Sequence, residues 1–351
     1  MPKLGSLFDG SGGFPLAGAL FGVEPVWASE IEPFPIKVTS KRFPGMKHLG
    51  SVTDVHGDQI EPVDIITFGS PCQDLSTAGK RAGIYDGERS NLFFESIRII
   101  EEMRNATANQ YPRFAVWENV LGAFSSNESK DFQAVLQSFV SICDKGLYVP
   151  GPPGGTWQSS GCILGNGFSI AWRVYSAEYW GIPHCRKRVY LVADFKSERA
   201  KEILFEPESV SWNSEENQKA ASRFVDGCFG GSWWDKEAGI EENEDLPIIA
   251  FTQGCYTSLR LDRASTLMAR DGKQAQAVMI PKENGFILRR MTPTEYGRLQ
   301  GFPDWWTDGV NGSDYAIYKM WGNGVSLPCV ADVIGRLSKE LEKTTSEQLV
   351  R

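Results

Sequence analysis

The sequence lacks the marks of several large classes. Only 3 histidines and 7 cysteines occur in 351 residues. The cysteines stand at 72, 143, 162, 185, 228, 255 and 329, with no CxxC pair and no Cys/His cluster at zinc spacing. This scatter argues against a disulfide framework and a structural metal, and for a reducing compartment, the cytoplasm. No apolar run reaches the roughly 20 residues that span a bilayer. The few residues before the first strand-like segment leave no room for a cleavable signal. There is no internal repeat and no low-complexity tract.

Excess positive charge is also missing, since the net charge is −8. The deficit is local. Residues 197–248 carry 13 acidic and 5 basic side chains, so the remainder, with 31 of each, is neutral. Residues 257–290 carry 7 basic and 3 acidic side chains. A locally basic surface is what phosphate binding requires, so the global sign does not exclude a nucleic acid. Both stretches are equally compatible with ordinary solvated surface.

Composition is that of a globular protein, 41% hydrophobic and 23% charged. Short apolar runs at 4–8, 23–28, 63–68 and 114–117 read as buried strands. Amphipathic stretches at 14–21, 33–42, 91–104 and 131–143 read as the helices between them. This alternation predicts an α/β fold with a doubly wound, mostly parallel sheet. Residues 149–167, rich in Gly and Pro, read as an inserted loop. Residues 168–175 and 188–195 read as an antiparallel strand pair at the sheet's edge. Alternation stops near residue 196, so a smaller second domain is expected over 197–317. Thr292-Pro293-Thr294-Glu295 has the spacing of a capping box and predicts a helix through Gln300. Residues 327–343 form an amphipathic helix within a C-terminal segment, 318–351, that returns to the first domain, 1–196.

Four groups of residues carry chemistry. Phe8-Asp9-Gly10-Ser11-Gly12-Gly13 follows a strand and opens a helix, and its glycines allow close approach to a ligand. Glu30, about 20 residues on, has the usual spacing for an acid that accepts ribose hydroxyl bonds. The glycines at 10, 12 and 13 do not have dinucleotide spacing, which favours S-adenosylmethionine over NAD. A plain glycine-rich connection reads the same way. Cys72 follows Pro71 in a polar loop beyond the run at 63–68, on the side where open α/β sheets collect ligands. A lone cysteine is more often inert core, and the polar loop after Pro71 shifts the balance toward a reactive thiol without settling it. Glu118 stands at the end of the next run, either as an acid/base group or as a helix cap. Arg186 and Arg188 share a face if extended, and suit a base oxygen, a carboxylate or a phosphate; an exposed basic edge is the plainer reading.

In this order, these segments resemble the cytosine-C5 DNA methyltransferase family. Glu118-Asn119-Val120, Arg298-Leu299-Gln300-Gly301-Phe302-Pro303 and Tyr318–Val325 add to the match, which covers both ends of the chain. The resemblance implies S-adenosylmethionine as cofactor, duplex DNA as partner, a monomer, and a bacterial or phage role in restriction-modification or anti-restriction. It implies Cys72 as nucleophile, with Glu118, Arg186 and Arg188 as the other catalytic groups. Cofactor contacts would come from Phe8, Gly10, Ser11, Gly12, Gly13, Glu30, Ile31, Ser51, Val52, Pro71, Leu92, Asn323 and Val325. DNA contacts would come from Gln73, Ser76, Lys80, Arg81, Arg89 and Asn119. A reading segment over 257–279 would add Arg260, Arg263, Thr266 and Arg270, in a target-recognition domain.

Some positions depart from the family pattern. Ser51 falls where an Asp usually meets the adenine, and either Ser51 or Asp54 can take that job. His184 replaces a usual Gln, Ser90 a usual Gly, and Gly324 a common Ser. A branch of the same family acts on tRNA, but its Cys-Phe-Thr element has only a partial counterpart in Cys228-Phe229-Gly230. A catalytically silent DNA-binding protein is the other alternative, against which the intact Pro71-Cys72-Gln73 and Glu118 argue.

Overall fold

The computed structural model describes residues 1–71, 91–205, 249–251, 259–261, 264–273, 275–282 and 285–349. Its first half alternates strands and helices: β1 (Lys3–Leu7), α1 (Gly13–Leu20), β2 (Glu24–Ser29), α2 (Pro33–Arg42), β3 (Lys47–His48) and β4 (Ile65–Phe68). Then come α3 (Asn91–Ala106), β5 (Phe114–Val120) and α4 (Lys130–Cys143). The meander β6 (Ser160–Leu164), β7 (Ser169–Ser176) and β8 (Lys187–Asp194) follows, with the short α5 (Ala200–Leu204) behind it. Farther on are β9 (Ile249–Phe251), β10 (Leu259–Leu261), β11 (Ala277–Lys282), β12 (Gly285–Arg290), α6 (Pro293–Leu299), α7 (Asp314–Asn323) and α8 (Leu327–Leu349).

Eight strands form one sheet in the order β3-β2-β1-β4-β5-β8-β7-β6. Pairings from β3 through β5 are parallel, and those from β5 through β6 antiparallel. The parallel strands are apolar on both faces because helices cover both. One core cluster joins α1, α2 and α8, with Leu4, Phe14, Val38, Val330 and Leu337. The other joins α3 and α4 to the opposite face, with Phe68, Ile100, Trp117, Phe132 and Phe139. Chain order reverses between β1 and β4, which leaves a crevice beyond their carboxyl ends.

Two expectations are corrected. Residues 149–167 are not all loop, because 160–164 form β6 and pair with β7 from Ser160↔Arg173 to Leu164↔Ser169. The β7–β8 pair is therefore interior, and β6 is the edge. Beyond it, β9–β12 make a separate antiparallel sheet in the order β10-β9-β11-β12. The capping box forms as expected: the Thr292 hydroxyl accepts from Glu295 N at 3.2 Å, and Glu295 accepts from Thr292 N at 2.7 Å. No helix among the described residues is long and apolar enough to cross a membrane.

Candidate active site

A cavity of about 730 Å³ opens at the crevice beyond β1, β2, β4 and β5, within the size range of small-molecule sites. One side is built from the β1–α1 turn. Phe8, Gly10 and Gly12 all take positive φ, at 53°, 55° and 78°. For the glycines this costs little, whereas Phe8 is held there against its preference. Among the described residues, a methyl group added at Gly10 would meet only Phe8 O, at 3.8 Å, which leaves room above it for a ligand. Glu30 ties this turn to the end of β2: its carboxylate accepts from Gly10 N, Ile31 N and Glu32 N at 2.8, 2.7 and 2.8 Å. A carboxylate has about four acceptor positions, so one remains for a ligand hydroxyl.

Phe8, Gly10, Glu30, Ile31, Ser51, Val52, Pro71, Leu92 and Asn323 line the cavity. Ser51 is among them and Asp54 is not; Ser51 also accepts from Thr53 N at 3.3 Å. The turn residues Ser11, Gly12 and Gly13 lie beneath, packed against the C-terminal part of the chain. Ser11 O accepts from Trp306 Nε1 at 2.8 Å, and a Cβ on Gly13 would fall 2.4 Å from Val325. The far wall comes from α7, which contributes Tyr315, Lys319 and Met320. Lys319 reaches across to Glu32 at 2.7 Å. Lys319 and Met320 belong to the Tyr318–Val325 block singled out in the sequence; Tyr315 does not, although it shares a helix face with Lys319 at i, i+4 behind the Ser313 cap.

The floor is polar and buried. Glu118 and Asn119, at the end of β5, lie beside the turn that leaves β4. Asn119 donates from Nδ2 to Ser70 O at 3.2 Å and accepts from Val120 N at 2.8 Å. Trp117 Nε1 donates to Ser70 Oγ at 3.3 Å. These bonds fix Ser70 and hence Pro71, the residue before Cys72. Cys72 itself lies outside the described residues, as do Gln73, Ser76, Lys80, Arg81, Arg89, Ser90 and Cys228.

Two guanidiniums converge on one carboxylate. Arg188 Nε lies 3.3 Å and Arg186 Nη2 3.8 Å from Glu118 Oε1. Arg186 is 3% exposed and also donates to Gly324 O at 2.6 Å. Burial, then the Arg188 charge, pulls its pKa down to about 10, so it remains cationic near neutrality. Arg186 Nε and Nη1 and Glu118 Oε1 have no hydrogen-bond partner among the described residues. Buried polar atoms without partners at a cavity wall call for a polar ligand.

The expected reading segment is partly described. Arg260 lies on β10, Arg270 is exposed, and Arg263 is outside the described residues. Thr266 is half-buried and donates its hydroxyl to Cys185 O. Away from the cavity, His56, Asp58 and Glu102 bring one ligand atom each within 4.8 Å of one another. Both Glu102 oxygens already serve Arg98, and one also Gly57 N.

Residues 3–143 and 164–339 match the family described as C-5 cytosine-specific DNA methylase. The unmatched interval contains most of β6. A phage P1 protein named DNA N-6-adenine-methyltransferase is 26% identical over 86% of this chain, which spans 52% of that protein's length. Type II methyltransferase M1.ScrFI of Lactococcus lactis subsp. cremoris is 27% identical over 97% of this chain and 79% of its own. Among solved structures, the S. pombe Dnmt2 methyltransferase has a TM-score of 0.64 at 19% identity, covering 97% of this chain and 99% of that one.

Proposed function

The chain belongs to the C-5 cytosine-specific DNA methylase family, and from that premise we propose that it methylates carbon 5 of a cytosine swung out of duplex DNA, with S-adenosylmethionine as donor. One observation carries this reading. Glu118, Arg186, Arg188 and the turn leading to Cys72 meet at the cavity that Gly10 and Glu30 border.

The cavity fits the donor. The remaining acceptor position on Glu30 suits a ribose hydroxyl, and the open space at Gly10 admits close approach. Ile31, Val52 and Leu92 offer apolar surface to an adenine, with Ser51 at its edge. When bound, S-adenosylmethionine supplies an electrophilic methyl group. All else falls to the chain and the base.

Cytosine C5 is a poor nucleophile while the ring is aromatic. Addition of the Cys72 thiolate to C6 breaks that aromaticity and makes C5 electron-rich. A guanidinium close to the sulfur, the role proposed for Arg188, would favour the thiolate. Charge builds on the base as the sulfur adds, so N3 must take a proton or a strong hydrogen bond. Glu118 supplies it once the incoming base replaces Arg188 as its neighbour. Arg188 then holds O2, and Arg186, anchored on Gly324, steadies this side. C5 takes the methyl group and gives its proton to a water molecule; the C5–H electrons form the C5=C6 bond as the Cys72 thiolate leaves C6, and N3 returns its proton to Glu118.

The phage P1 relative is named for adenine N6. An exocyclic amine carries its own lone pair and needs no thiol, so a cysteine that directly follows the cavity-lining Pro71 in sequence favours cytosine here. Swinging the base out costs a few kcal/mol, offset by contacts in the pocket. The unit over 197–317 is proposed to recognise the target, and Arg270 is positioned on its exposed surface.

The test uses duplex DNA carrying 5-fluorocytosine, whose C5 fluorine cannot leave as a proton. Wild-type protein is expected to form a covalent complex and Cys72→Ser none. A complex with the serine variant would refute the nucleophile. Methyl transfer to tRNA but not to duplex DNA, or N6-methyladenine as the product, would refute the substrate.

A further inference from the structure

His184 is a buried ring that the chemistry above does not use. It is 0% exposed. Nδ1 lies 2.9 Å from Leu299 O at the end of α6, and Nε2 lies 3.0 Å from the amide of Leu267. A carbonyl only accepts and an amide only donates. The two partners therefore fix a neutral ring that donates from Nδ1 and accepts at Nε2. Burial and the charges of Arg186 and Arg188 push its pKa well below the ordinary value, against a smaller opposing effect of the Leu299 carbonyl, in keeping with that state.

The backbone around the ring is tied to the same segment. Ala264 N donates to Pro183 O at 2.7 Å and Cys185 N to Ala264 O at 2.9 Å, while the Thr266 hydroxyl donates to Cys185 O. Two residues beyond His184, Arg186 reaches Gly324 O and Glu118. The stretch 264–267 links β10 to β11 of the second sheet. His184 thus bridges that stretch, α6 and the approach to β8.

We propose that His184 is a positioning residue that keys Arg186 and Arg188 to the 264–267 stretch, so that the arginines hold their register only while that stretch is seated. The inference rests on the reading that both arginines serve the base pocket. It explains which residue types can stand there. The job needs one donor and one acceptor spanning two backbone partners, in a site where a charge is costly. A neutral His meets this, and so does Gln, the type expected at this position from the family resemblance. Asn is one methylene short, and Leu offers neither group.

The test compares His184→Gln, His184→Asn and His184→Leu with wild type in kcat and KM for duplex DNA and in amide exchange at Leu267. His184→Gln is expected to keep kcat within about threefold of wild type. His184→Asn is expected to lower kcat about 10- to 100-fold, the cost of a small misplacement, with KM for DNA moving less than about threefold. Leu267 exchange should accelerate at least about tenfold in the Asn variant and not in the Gln variant. Thr266→Val, which removes one bond from the other side, should lower kcat in the same direction by less. If His184→Leu does not fold, the Asn, Gln and Thr266→Val proteins carry the test. Equal loss in the Gln and Asn variants, a loss confined to KM, or unchanged Leu267 exchange would overturn the proposal. Wild-type protein inactive on duplex DNA would instead sink the functional reading, and the exchange comparison would still decide the bridge.

Discussion

Neutralising Asp9 should remove a pH dependence from folding. Asp9 lies under the glycine turn and is 5% exposed. Burial raises its pKa from 3.8 to about 8, with the Ser6 hydroxyl opposing and the Glu30 charge adding. The folded chain therefore holds a proton that the unfolded chain releases above about pH 4. The unfolded state binds fewer protons in this window, so stability falls as pH rises from about 4 to about 8 and is level beyond. At about 1.4 kcal/mol for each pH unit, the full change is at most ~6 kcal/mol. Domains are stable by only about 5–15 kcal/mol, so even half of this is measurable. Asp9→Asn keeps the shape and cannot ionise. Urea unfolding at pH 5.5, 7 and 8.5 should show a gap between the two proteins that is already about 2 kcal/mol at pH 5.5 and widens as pH rises. At the alkaline end Asp9→Asn should be more stable by a few kcal/mol. Parallel pH profiles for the two proteins would show that the Asp9 carboxyl is not held neutral by burial.

Three further outcomes follow from contacts at the site. A Cβ at Gly324 would fall 2.5 Å from Ser11 Oγ and 3.1 Å from Ser11 Cβ. Gly324→Ser should therefore cost about 1–3 kcal/mol in unfolding free energy, and the double variant with Ser11→Gly should recover most of it; strict additivity would disprove the contact. Glu118→Gln should lower kcat about 10²- to 10⁴-fold in methyl-transfer assays with little change in the calorimetric affinity for S-adenosylmethionine. Glu30→Ala frees three backbone N–H groups as well as losing a ligand acceptor, and should weaken that affinity by at least about tenfold, measured by calorimetry.

Much of this was legible because buried parallel strands and amphipathic helices leave strong periodic signals. The Glu118–Arg188 meeting was not, since the paired residues Asn119 and Val189 are 70 apart in sequence and only the antiparallel pairing of β5 and β8 joins them. β6 was hidden by its own glycine. A Cβ at Gly161 would fall 2.2 Å from the Trp172 ring, so glycine marks a close approach there and not a turn. The sheet of β9–β12 is built from short strands, two of them of 3 residues, too few for alternation to register. Tyr315 in the α7 wall was missed because it lies outside the Tyr318–Val325 block and looks like ordinary helix surface until the cavity around it is in place. His184 stood out only as a departure from a pattern, and its two partners, Leu267 and Leu299, are distant in sequence.

The cavity draws one wall from the β1–β2 stretch and the opposite wall from α7, far along the chain. Gly10 and Glu30 must wait for Tyr315 and Asn323 before a ligand can be enclosed. A nascent chain can assemble much of its sheet during synthesis, yet it acquires its pocket only after α7 has emerged. Fragments split between the two sheets should each be inert and regain ligand binding when mixed.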